Sequence, residues 1–183
     1  LRLDKFSGTV LYLRDLAYAL LQRGHSLVVY SPRIDGGAAE QLRQLTIPVV
    51  SSMSDLSFTP DVIHAQHFHE TAAALVRYPG VPAVYVCHDW SSVHDAPPNL
   101  TRIRRFVAVD ETCRDRLWEL GIAAGRAAVV FNAVNLARFR KRPKPLPDQP
   151  ARALVFSNNA MESGYLEIVR AACRETGLTL DVV

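Results

Sequence analysis

Between Thr9 and Arg23 the apolar residues Val10, Leu13, Leu16, Ala17, Leu20 and Leu21 recur at the spacing of one helical face, and Gly24 follows as a stop. The run HSLVVYSP, residues 25–32, is short, apolar at its centre and closed by Pro32, the pattern of a strand buried on both faces. A polar helix from Gly37 to Leu45 then leads to a second short strand, IPVV. The alternation continues. PDVIHA reads as a strand, FHETAAALVRY as a helix, and VPAVYVCH and RRFVAVD as strands. ETCRDRLWELG reads as a helix stopped by Gly121, and RAAVVFNAV as a further strand.

Helices alternating with short, nearly all-apolar strands predict an α/β fold with a doubly wound, mostly parallel sheet. In such sheets ligands bind beyond the carboxyl ends of the strands, so the residues just after each strand are where chemistry is expected. The pattern breaks at residues 138–152, RFRKRPKPLPDQPAR, which carries four prolines and a basic cluster without apolar periodicity. It reads as a solvated linker, with a phosphate- or membrane-facing basic patch as the alternative. Beyond it comes one further strand–helix–strand unit. The expected organisation is a domain over 1–137, a linker over 138–152, and the opening of a second domain over 153–183. Only LRLDKFSG precedes the first helix, too little for the strand that normally opens a doubly wound domain. That strand is expected to be missing and the chain to be truncated.

Composition narrows the class. Of 183 residues, 49% are hydrophobic and 21% charged, ordinary for a globular protein, and a net charge of +3 does not call for nucleic acid. Cys87, Cys113 and Cys173 are scattered, with no CxxC pair, which argues against a disulfide framework or structural zinc and suits a reducing compartment. No apolar run reaches the roughly 20 residues of a membrane span. A cytoplasmic location is expected, with the inner face of a membrane as a possible place of work.

Four stretches carry candidate chemistry. In KFSGT, Ser7, Gly8 and Thr9 enter the first helix, where free backbone N–H groups favour an anion; a plain N-cap is the competing reading. In YVCHDW, His88 directly follows a buried strand, and the adjacent Asp89 is placed to fix a tautomer or accept a ligand hydroxyl. HAQHFHE divides: His64 lies on a strand and reads as structural, whereas His67 and His69 enter the next helix. For the latter pair, hydrogen bonding to sugar or phosphate stands beside simple capping. Metal is not expected, because the order of residues is not HExxH and no clear fourth ligand is near. RIRRF, residues 102–106, reads as a solvated basic loop before a strand, with contact to an acidic lipid surface or phosphate as the alternative.

In series, SGTVLYLRDLAYALLQRGHSLVVYSP, PDVIHAQHFHE, VPAVYVCHDW, VAVDETCRDRL and FNAVNLARF resemble the N-terminal domain of a family-4, GT-B glycosyltransferase, a retaining enzyme that uses nucleotide-sugars. No single motif is specific, but five occur in the family's order. The resemblance implies a Rossmann-like half of a two-domain enzyme, facing an acceptor, with a C-terminal domain holding a nucleoside diphosphate sugar. It implies a catalytic role for His88, hydrogen-bonding the transferred sugar and helping to stabilise charge. Ser7, Gly8, Thr9, His67, His69 and Asp89 would face acceptor or phosphate. Asn132, with Asn158 and Asn159, would lie at the interdomain cleft. No metal cofactor is implied; the partners are a nucleotide-sugar donor and a sugar-containing acceptor, with peripheral membrane contact possible.

The departures are specific. Ser7-Gly8 replaces a glycine pair, and Asn132-Ala133-Val134-Asn135 replaces NGVD. Ser157-Asn158-Asn159 followed by AMESG stands where the family has a diphosphate-clamping Arg and Lys. Losing such cations weakens pyrophosphate contacts. Two alternatives therefore remain: a nucleotide-sugar epimerase-like enzyme, and a carbohydrate- or partner-binding module without donor binding. The family's paired-glutamate segment would lie beyond Val183.

Overall fold

The computed structural model describes residues 2–56, 58–157 and 160–183, and the chain divides into two compact units, Leu1–Val134 and Asn135–Val183. In the first unit, helix α1 (Gly8–Leu21) leads to β1 (Val29–Tyr30), α2 (Gly37–Gln44) and β2 (Val49–Val50). There follow β3 (Ile63–Ala65), α3 (Phe68–Arg77), β4 (Ala83–Cys87), β5 (Ile103–Ala108), α4 (Glu111–Glu119) and β6 (Ala127–Val129). The second unit contains β7 (Arg152–Val155), α5 (Tyr165–Thr176) and β8 (Thr179–Val182).

Every strand pair among the described residues is parallel, as the alternating pattern predicts. The first unit holds a four-stranded sheet in the order β3-β4-β5-β6 and a separate pair, β1-β2; the second holds β7-β8. Its apolar core is likewise in two parts. Tyr85, Phe106, Leu75 and Leu117 centre one cluster between the larger sheet and helices α3 and α4. Leu3, Ala39, Leu42 and Ile47 centre the other, around β1, β2, α1 and α2.

Helix starts and stops follow local chemistry. The Ser7 hydroxyl accepts the Val10 N–H at 3.3 Å, and the Asp110 carboxylate accepts the Cys113 N–H at 2.8 Å. Gly24 and Gly121 take φ of +82° and +81°, the left-handed turn that lets α1 and α4 end where the sequence predicts.

Three expectations need correction. The run 25–32 forms a strand only at Val29–Tyr30, the two residues that find partners in Val49 and Val50. The run 126–134 is a strand only at Ala127–Val129; after Val130 donates to the Ala108 carbonyl, the chain loses its ladder and stands exposed. The basic stretch 102–106 is not a loop. Arg104 and Arg105 lie within β5, and Arg102 donates to the carbonyls of Leu75 (2.6 Å), Tyr78 (3.2 Å) and Pro79 (3.0 Å).

A guanidinium on the last carbonyls of a helix satisfies orphan acceptors and complements the helix dipole. Arg102→Ala is therefore expected to cost about 2 kcal/mol in urea unfolding, since it strips charge-assisted bonds from three carbonyls. Arg102→Lys, lacking the planar fork, should recover only part of that. Among the described residues no helix is long and apolar enough to cross a membrane.

Candidate active site at the carboxyl ends of the strands

The pairings Ala65↔Tyr85 and Cys87↔Ala108 bring the ends of β3, β4 and β5 to one edge of the sheet. The segments leaving that edge carry His67, His88 and Asp110. Helix α1 reaches the same place through Tyr12, whose ring meets His88 edge-on at 4.7 Å between centroids and lies 6.2 Å from His64. Sequence order thus converges on one spot from three connections.

His88 sits immediately beyond β4, and its Nε2 is buried without a hydrogen-bond partner. Burial, and then the neighbouring His64 and His67, lower its pKa from 6.5 to about 4. At neutral pH it is an uncharged imidazole with one ring nitrogen unengaged. Such a group is suited to hydrogen-bond a neutral hydroxyl.

Beside it, the Asp95 carboxylate is only 4% exposed and ties two loops together. Its Oδ1 accepts the backbone N–H of His88 at 3.2 Å, and its Oδ2 faces His67 Nε2 at 4.0 Å. Burial raises the Asp95 pKa, opposed by the His88 N–H and by His67. Burial lowers that of His67, opposed by Asp95 and Glu70. His67 itself has φ +63°, a region unfavourable for a residue with a Cβ and one that concentrates at ligand sites. Its carbonyl receives both the N–H (3.3 Å) and the hydroxyl (2.5 Å) of Thr71. The site therefore holds His67 in a strained pose with named restraints.

His67 occupies the N-cap position of α3, but its side chain makes no capping bond, so capping does not account for the imidazole. His69 is exposed, 5.6 Å from Phe68 and 6.4 Å from His94; His94 is 6.3 Å from His67. The three imidazoles form a loose rim. Among the described residues no group of three or more His, Cys, Asp or Glu is arranged to hold a metal ion.

Other expected site residues have different placements. Ser7 is the N-cap of α1, and Gly8 and Thr9 begin the helix; a Cβ built on Gly8 would meet nothing within 4 Å. Asp89 is not the tautomer-fixing partner of His88. Its Oδ1 accepts from the Ser91 N–H (2.7 Å), the Ser91 hydroxyl (2.8 Å) and the Ser92 N–H (3.1 Å), closing a surface turn. The Asp89 carbonyl is held by Arg116 at 2.6 Å. His64 on β3 is not sealed in a core: water reaches it from an open groove, while crowding by protein lowers its pKa. Asn132 is exposed after β6, and Asn158 and Asn159 lie outside the described residues.

Tyr12, Gln66 and Asp95 belong to this region but carry no local sequence signal. Tyr12 falls outside the apolar stripe of α1. Asp95 is seven residues from His88, and a 3₁₀ turn at Val93–Asp95 returns it to the site. Gln66 follows β3 with both amide atoms buried and unpartnered.

Residues 6–138 match the family described as Glycosyltransferase Family 4. No curated protein matches the chain. Among solved structures, HepE of Anabaena in complex with UDP and glucose superposes with a TM-score of 0.68 at 17% identity, over 99% of this chain and 58% of that one. The same protein with UDP gives 0.65 at 16%, over 99% of this chain and 67% of that one. At such identity the likeness is one of fold: a Rossmann-like α/β architecture matching part of a GT-B glycosyltransferase. The chain spans 58% of the length of the first of these structures. With the family matched across most of its length, the chain belongs to glycosyltransferase family 4.

Proposed function

We propose that the protein carrying this chain transfers a sugar from a nucleoside diphosphate sugar to a hydroxyl-bearing acceptor with retention of anomeric configuration. His88 carries the reading: a neutral imidazole, one nitrogen buried and unengaged, at the carboxyl end of β4. HepE binds UDP and glucose, which supports a nucleotide-sugar donor here. In transfer, the bond from anomeric carbon to diphosphate breaks, a bond to the acceptor oxygen forms, and the acceptor's hydroxyl proton passes to the departing diphosphate. His88 then acts as a hydrogen-bond partner that orients the sugar. Its low pKa argues against a cationic role in neutralising the diphosphate.

The direct test offers the protein a panel of UDP- and GDP-sugars with candidate acceptors and reads product anomers by NMR. An inverted product removes retention. Epimerised sugar without acceptor favours an epimerase. Failure to bind any nucleotide by calorimetry points to a binding module that has lost its donor, as the missing Arg and Lys near Ser157 would explain.

The glycine at the start of α1 gives a second test. Gly8 has negative φ, and a Cβ there meets only open space, so packing does not require glycine. Close approach of a ligand to the backbone would. Gly8→Ala is expected to leave the melting temperature unchanged or slightly raised, and to weaken donor or acceptor binding at least tenfold by calorimetry. Unchanged binding assigns this segment to helix capping alone.

A further inference from the structure

Beyond β4 the chain leaves the sheet as a loop, residues 88–95, whose two ends are pinned together where the His88 N–H meets Asp95 Oδ1 at 3.2 Å. The loop is braced inside and from α4. The Asp89 carboxylate folds back onto Ser91 and Ser92, the Ser92 hydroxyl accepts the His94 N–H at 3.2 Å, and Arg116 holds the Asp89 carbonyl. On this closed frame Trp90 stands 64% exposed and Val93 81% exposed. The chain's other tryptophan is occupied: the Arg114 guanidinium lies 4.5 Å from the centre of the Trp118 ring. Trp90 has no ring or cation contact among the described residues.

One apolar side chain on a surface needs no explanation, but this one has company. His94, on the same loop, lies 6.3 Å from His67 and 6.4 Å from His69, and the His69 ring meets Phe68 edge-on at 5.6 Å. Phe68 is itself 40% exposed. Aromatic side chains thus extend from the loop to the start of α3, at the edge that carries His88. Charge decides what they suit. Residues 67–70, HFHE, and 88–95, HDWSSVHD, contain Glu70, Asp89 and Asp95 and no lysine or arginine. Arg116, which borders the loop, is already engaged with the Asp89 carbonyl at 2.6 Å. A phosphate, a uronic acid or an anionic lipid surface would meet carboxylates here without a cation from either segment. An uncharged sugar meets no such penalty: its C–H face packs on an indole, and its hydroxyls pair with imidazole nitrogens.

We propose that Trp90 is a stacking platform for an uncharged glycan, held out by the closed loop 88–95 beside the aromatic rim of Phe68, His69 and His94. In the proposed transfer, on which this clause rests, that glycan is the acceptor, which narrows the acceptor to a neutral sugar chain rather than a phosphorylated sugar or a lipid headgroup. The bonds at Asp89, Ser92 and Asp95 fix the loop before any ligand arrives, so little freedom is lost when a sugar ring settles on the indole. The same Asp95 bond that closes the loop also places His88, so platform and imidazole are set by one frame.

Trp90 and Trp118 are the chain's two tryptophans, so Trp118→Phe leaves Trp90 as its single indole reporter. That variant is titrated with uncharged oligosaccharides of glucose, galactose, mannose and N-acetylglucosamine, with phosphorylated and uronic-acid counterparts, and with phosphatidylglycerol vesicles. At least one uncharged glycan is expected to shift Trp90 emission to the blue and to shield it from acrylamide. Trp90→Ala should weaken binding of that glycan about tenfold by calorimetry, and Trp90→Phe less, the scale of one lost ring-face contact. The melting temperature should hold in both, because the indole is mostly in water. No response to any uncharged glycan overturns the proposal, as does equal or tighter binding of the charged sugars. Vesicles that shield Trp90 where sugars do not overturn it too, and make the loop a membrane contact. None of these readouts uses a nucleotide-sugar. Glycan binding through Trp90 without transfer removes the proposed reaction and leaves the platform. Transfer whose acceptor KM is unchanged by Trp90→Ala removes the platform and leaves the reaction.

Discussion

Replacing His88 with alanine is expected to lower sugar transfer by about 100- to 1,000-fold, the range typical of losing one group that orients a substrate or stabilises its transition state. The fall should appear in kcat more than in KM, since the imidazole meets the reacting sugar rather than the bulk of the donor. Stability at pH 7.5 should change little, because the Nε2 has no protein partner to lose. What the variant loses is an edge-on contact with Tyr12. The pH dependence separates the residue's chemistry from its packing. His88 has a folded pKa of about 4, below its unfolded 6.5, so between those values the unfolded chain binds more protons. Stability from keeping it neutral is complete above pH 6.5 and is lost as pH falls toward 4, roughly 3 kcal/mol in all. His64 and His67, both lowered by burial, act in the same direction, and Asp95, raised by burial, acts oppositely at the acid end. The alanine variant should therefore lose less stability than the parent between pH 6.5 and 4 in urea unfolding. Equal acid sensitivity would mean that His88 is not held neutral, and unchanged turnover would remove it from the reaction.

The fold was largely legible because its signals are local. The apolar stripe of α1, the glycine stops and the all-apolar runs at β4 and β5 each follow from a few neighbouring residues. Strand lengths were not legible, since Val28 and Val130 are as apolar as Val29 and Val129 and only the presence of a neighbouring strand decides which joins a ladder. The site was half legible. His67 and His88 stand where strand ends place them, which period and position predict. Asp89 is adjacent to His88 in sequence, but its carboxylate closes its own turn, and the carboxylate that accepts the His88 backbone N–H is that of Asp95, seven residues away. Tyr12 and Gln66 escaped for the same reason, that their roles come from packing between elements. RIRRF shows the converse error. A run of arginines read as a solvated surface, yet Arg102 is a clamp for a helix end 23 to 27 residues distant in sequence.

Asp95 yields the second large effect. Its carboxylate does two things, accepting the His88 N–H and facing the His67 imidazole, and two substitutions separate them. Asp95→Ala removes both. A buried N–H loses its acceptor at a cost of about 1–3 kcal/mol, the turn carrying His88 is released, and transfer should fall about 10- to 100-fold. Asp95→Asn keeps an oxygen for the His88 N–H but removes the charge. It should retain most of the stability and keep His88 near its place, while the His67 pKa falls further below 6.5, because the carboxylate that favours the imidazolium is gone. Proton NMR titration of the histidine C–H signals reads that shift, and turnover as a function of pH reads its consequence. A positioning role predicts that asparagine rescues turnover relative to alanine. If asparagine is as damaging as alanine to turnover yet preserves stability, the charge itself acts on the substrate, and Asp95 moves from positioning His88 to touching the reaction. If the His67 pKa stays where it was in both variants, the 4.0 Å contact carries no electrostatic weight.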